Sequence, residues 1–196
     1  MFGIALFLHL LGVVLLVGAV STTLVVTLRV QTARTIPELR TVTAATKRIE
    51  SVLVPAMIII IVTGVYMLAQ HSTHGDNPWI AGWVITAEVV TVLLGVIGRT
   101  VEARDAKRLH TAIENASNDR PNAELRKVQL ASSPIYSVFF GTSQVIAVLF
   151  LMTNRPGLAV SIAACLIAAL ASVIVAAVRL RTVRRTHPLT PAGLGA

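Results

Sequence analysis

The sequence predicts an all-α membrane bundle of five transmembrane helices, N-terminus out and C-terminus in, with helices extending into the cytoplasm. Three observations predict it. First, the chain is 55% hydrophobic and only 13% charged over 196 residues. A soluble domain carries about 25% charged residues, so this chain has too few to cover a water-facing surface. Second, the apolar residues gather in five runs, 2–28, 52–70, 79–98, 135–153 and 157–180, each near the length of about 20 residues that crosses a bilayer. Third, all but one of the 17 Lys and Arg fall in the stretches 29–50, 99–127 and 179–185, the exception being Arg155. Loops rich in Lys and Arg stay on the cytoplasmic side, and all three stretches land on one side of this alternation.

Each element follows in order. No Lys or Arg precedes Arg29, and the first run is longer than the apolar core of about 7–15 residues in a signal peptide. It therefore reads as a retained membrane helix. In Thr35-Ile36-Pro37-Glu38, Thr at the N-cap and Glu three residues on form a capping box. From there the helical pattern runs unbroken into the second span, where Pro55 predicts a kink near the inner surface. The loop 71–78 holds Asp76 and no Lys or Arg, so it is external. Asn77-Pro78 predicts the start of the third helix, a cap followed by Pro at the first helical position. That helix is expected to continue past Gly98 to about Ala116. The stretch 118–121 is a turn, and a return helix leads to Ser133-Pro134 and the fourth span. Asn154-Arg155-Pro156 is a short external turn before the fifth span. Residues 1–186 thus form a single bundle, and the tail 187–196, rich in Pro and Gly, is expected to be disordered.

The net charge of +8 is accounted for by the positive-inside loops, not by nucleic-acid binding. These loops make anionic lipid head groups an expected partner, through Arg29, Arg34, Lys47, Arg48, Arg179, Arg181, Arg184 and Arg185. The single cysteine, Cys165, allows no internal disulfide and no thiolate cluster, and reads as a packing residue. No Walker motif, nucleophile elbow, glycine-rich dinucleotide loop or Cys-x-x-Cys is present. A non-enzymatic role is therefore expected.

Polar residues inside a membrane are expensive and so informative. His9 lies on a face with Ala5, Gly12, Leu16, Ala19 and Thr23, small enough to point into the bundle. An imidazole there suits a haem or metal ligand, a proton carrier, or a structural hydrogen bond. Glu88 falls near mid-span, on a face with Ala81, Ile85, Val92, Gly95 and Arg99. It is expected to be protonated, to face a wet cavity, or to be paired, with Gln144 and His9 as candidate partners. His71 and His74 share a helix face with Asp76 following, a weak metal clamp of too few ligands for a closed site. Thr63, Tyr66 and Gln70, and likewise Ser137, Gly141 and Gln144, form polar stripes expected to make interhelical hydrogen bonds. Ser161, Cys165, Ala168, Ser172 and Ala176 form a close-packing seam, either inside the bundle or against a partner chain.

The opening Leu8-His9-Leu10-Leu11-Gly12, with Gly18 after it, resembles the first helix of a group of small bacterial membrane proteins. The group includes the CopD-like copper-resistance proteins, the HemJ-type protoporphyrinogen oxidases and an uncharacterised branch of predicted integral membrane proteins, to which the fit is closer. What the resemblance implies is a small helical bundle in a bacterial plasma membrane, with His9 as an axial ligand to haem b by analogy with the HemJ branch.

Three functional readings follow. The first is a non-enzymatic accessory or scaffold protein that packs with a larger membrane complex or with copies of itself. The second is a haem- or metal-binding redox protein using His9, with His71, His74 or Glu88 nearby. The third is a small transporter or channel with Glu88 on the path.

Overall fold

The computed structural model describes residues 2–72, 78–116, 119 and 121–186. Seven α-helices account for most of them, and no strand occurs among the described residues. Five helical stretches are long and apolar enough to span a membrane: Phe2–Thr32, Ile36–Gln70, Gly82–Glu114, Ala123–Asn154 and Leu158–Arg185.

The first helix, α1 (Phe2–Thr32), runs one turn beyond its apolar stretch, through Arg29. After a three-residue link, α2 (Ile36–Ser72) returns along it. Its start is the expected capping box: the Glu38 N–H donates to Thr35 Oγ1 (3.4 Å), while the Glu38 carboxylate accepts from the Arg34 N–H (3.0 Å). At 37 residues and a rise of about 1.5 Å each, α2 is about 55 Å long, against about 30 Å of hydrocarbon. Its first turns therefore project beyond the membrane at the basic end. Pro55 lies inside this unbroken helix.

The third span starts at Pro78 as expected, but not as one continuous α-helix. Asn77 lies outside the described residues, Pro78–Ile80 forms one 3-10 turn, and α3 (Gly82–Ile97) begins after an extended Ala81. Gly82 permits a close approach here, since a β-carbon on it would overlap the backbone of Leu158 at the start of the last helix. At 16 residues, α3 alone rises about 24 Å, short of the hydrocarbon thickness. The 3-10 turn and a π-helical stretch, Gly98–Glu102, complete the crossing before α4 (Ala103–Glu114) carries the chain onward.

Asn122 caps α5 (Ala123–Gln129) by accepting from the Leu125 N–H (2.9 Å). Next comes α6 (Ser133–Asn154), with Pro134 in its first turn, and then α7 (Leu158–Thr186). The turn between them holds Arg155 in the left-handed region (φ 48°), with its guanidinium 6.0 Å from the Trp83 ring. This contact ties the far end of α6 and α7 to the start of α3.

The pairing of elements is uneven. The largest interface joins α1 and α2, while α6 is the hub that packs on α1, α3 and α7. At the basic end, Ala33, Ile36, Leu39, Ile113 and Leu125 close a small core beyond the apolar runs of the sequence. The projecting part of the fold is thus packed. The Ile36 N–H donates to the Asp119 carbonyl (2.9 Å), locking the α1–α2 link to the α4–α5 turn.

Candidate functional site

His9 sits where α1 and α2 approach most closely. Small residues permit this: a β-carbon on Gly12 would lie 2.8 Å from Ile60 Cγ1 and 3.3 Å from the Ala56 carbonyl oxygen. Ala5, Gly12 and Ala19 are buried along the expected face of α1. His9 Nδ1 lies 3.2 Å from the Ile60 carbonyl oxygen and 3.1 Å from Thr63 Oγ1. A carbonyl only accepts, so Nδ1 carries the proton. The Thr63 hydroxyl in turn donates to the Ile59 carbonyl. This leaves Nε2 of His9 as a lone pair with no partner among the described residues. Gly64 lies beside the ring, where a β-carbon would make an ordinary contact with His9 Cε1 at 3.5 Å.

Glu88 is placed otherwise. It is exposed on the outer face of α3, with Ile85, Val89 and Val92 also exposed around it. Neither expected partner reaches it. His9 is engaged with α2, and the Gln144 amide donates to the Cys165 carbonyl on α7 (3.0 Å). Glu88 has no hydrogen bond or ion pair among the described residues. It also lines no interior path of the bundle, because its face points outward.

The other expected groups fall as follows. The His71 side chain, the whole of His74 and Asp76, and the tail 187–196 lie outside the described residues, as does the side chain of Lys47. Among the described residues, no three His, Cys, Asp or Glu side chains gather as metal ligands. Of the first polar stripe, Thr63 makes the expected interhelical bond, while Tyr66 and Gln70 are exposed. In the second, Gln144 does so and Ser137 instead donates to its own helix at Pro134. The α7 seam turns inward, with Ser161, Ser172 and Ala176 buried. It is therefore a packing seam of this bundle and not a surface held for a partner. Arg29, Arg34, Arg48, Arg181, Arg184 and Arg185 are exposed at the basic end, whereas Arg179 is half-buried.

Two arrangements have no local signal in the sequence. Gln129 on α5 donates to the Val30 (3.0 Å) and Ala33 (3.3 Å) carbonyls, and Arg126 donates to Ala33 (3.4 Å). A distant helix thereby satisfies the last carbonyls of α1, and the arginine also complements its dipole. Gln31 is 1% exposed, yet neither its amide nitrogen nor its oxygen finds a hydrogen-bond partner among the described residues.

Five helices long and apolar enough to cross a bilayer define a multi-pass integral membrane protein. The chain belongs to the family of predicted integral membrane proteins designated DUF2269, whose profile matches residues 4–156. The match takes in α1 to α6 and stops before α7. It brings no link to the CopD-like or HemJ-type proteins. No curated protein and no solved structure matches the chain.

Proposed function

We propose that this protein is a non-enzymatic component of a larger plasma-membrane assembly, joined to it through the outer face of α3. The observation that carries the reading is Glu88: a carboxylate near mid-span, exposed on an apolar face and without a partner among the described residues. A charged group at that depth costs a few kcal/mol, and such residues almost always face protein or water. A membrane helix that brings a hydrogen-bond donor or a cation to the depth of Glu88 removes that cost. The packed helices at the basic end, α4 and α5 with the start of α2, offer the assembly a second, water-facing surface.

The proposal carries the orientation read from the basic loops, with the N-terminus outside. A cysteine at Arg155 then labels from outside the cell and one at Glu114 does not. The direct test is the size of the protein after gentle extraction with its lipid. The wild type is expected to run as a discrete assembly, and Glu88→Leu as a single chain that unfolds no more easily than the wild type. A wild type that runs as a single chain overturns the reading.

One observation favours a second reading, a haem b site at His9. Its Nδ1–H is held by a backbone carbonyl, which leaves Nε2 free to ligate iron, the arrangement typical of metal-bound imidazoles. An absorption spectrum of the purified protein, oxidised and then reduced, tests it. A Soret band lost in His9→Ala supports haem, and protein absorbance alone rejects it.

A further inference from the structure

A groove of about 430 Å³ opens between the basic end of α7 and its neighbours α1 and α6. Its walls are Leu28, Phe139, Ile174, Val175 and Val178, with Thr182 also lining it, and Arg179 is the one charged residue there among the described residues. The groove has a firm floor, because Leu28 and Phe139 pack on the buried cluster of Ile135, Ala176 and Leu180.

Its depth is marked twice. Leu28 is the last residue of α1 before Arg29, and Val178 the last of α7 before Arg179. Two helices of unrelated sequence thus reach their first cation at the same groove, where hydrocarbon gives way to head groups. Arg179 is also short of a counter-ion. Its Nε is buried without a hydrogen-bond partner, and it forms no ion pair among the described residues. An arginine stays charged in proteins, and residues 179–186 add Arg181, Arg184 and Arg185 with no acid.

We propose that this groove holds an anionic glycerophospholipid of the leaflet on the basic side. One acyl chain lies along Phe139, Val175 and Val178, and the phosphodiester accepts charge-assisted hydrogen bonds from Arg179. A free phosphate would leave the apolar walls bare, and a zwitterionic lipid would bring no net charge to four arginines. The inference is independent of the assembly reading, since it concerns α7 and not the outer face of α3.

The test is native mass spectrometry of the full chain released from vesicles of phosphatidylcholine and phosphatidylglycerol in equal parts. The wild type is expected to retain phosphatidylglycerol in preference to phosphatidylcholine. Arg179→Ala should weaken retention about tenfold, the worth of a charged hydrogen bond. Replacing the exposed Arg185 by Ala should change it less than about twofold. Val175→Trp fills the groove from an exposed position while keeping the charge, and should also release the lipid. The proposal is overturned if both lipids are retained alike, if Arg179→Ala and Arg185→Ala act equally, if Val175→Trp retains the lipid, or if millimolar inorganic phosphate displaces it.

Discussion

The α1–α2 interface and the outer face of α3 each carry one ionisable side chain within a spanning segment, and they treat it in opposite ways. His9 is held by a backbone carbonyl and a hydroxyl of the neighbouring helix, at a point where Gly12 lets the two helices close. Glu88 stands on an apolar face with no hydrogen bond or ion pair among the described residues. In hydrocarbon no water is present to satisfy a polar group. The first region thus meets the Nδ1–H of its imidazole from within the chain, whereas on the proposed reading the carboxylate of the second is met by another helix.

The largest effect should come from breaking the α1–α2 interface. Gly12→Leu forces a side chain into Ile60 and the Ala56 carbonyl, and overpacking of this kind costs about 1–3 kcal/mol. Thermal unfolding in bicelles should show the loss, and an unchanged midpoint would mean that α1 and α2 are not closely packed there. A smaller loss, about 1 kcal/mol, is expected for His9→Leu, with Thr63→Val similar. Because the two side chains share one hydrogen bond, the double variant should cost less than the sum of the singles, and full additivity would argue against the bond.

Gln31 sharpens the comparison from inside the bundle. Both of its amide atoms are buried and unpaired, so Gln31→Leu should raise stability by about 1 kcal/mol. A fall in stability would show that the amide has a partner in the membrane. Smallest of all is the expected effect of Glu88→Leu on the isolated chain: within about 0.5 kcal/mol of the wild type, or slightly stabilising, as for a surface position. A large loss would mean that Glu88 is satisfied by its own chain.

The five spans, the helical extensions and the Thr35–Glu38 cap were legible in the sequence, because each rests on residues within one or two turns of each other. The direction of Glu88 was not. In α3 apolar residues lie on every side of the helix, so periodicity does not say which face turns inward. The α7 seam was visible as small residues at steps of three and four, but only the packed bundle shows that they face α6 and not a partner. The capping of α1 by Gln129 joins residues 96 and 99 positions apart in the chain, and no local pattern records it. The close approach of Gly82 to Leu158 likewise joins residues far apart in the chain.

The central claim is that protein covers the Glu88 face in the membrane, and a matched pair of outward positions tests it most directly. Val92 on α3 and Ile167 on α7 are each 68% exposed, so as single chains they are equivalent. With Cys165→Ser as background, Val92→Cys and Ile167→Cys would be cross-linked in native membranes. The account predicts a discrete adduct from Val92→Cys that disappears when Glu88→Leu is added, and none from Ile167→Cys. Equal yields from the two positions, or no adduct from Val92→Cys, would contradict it.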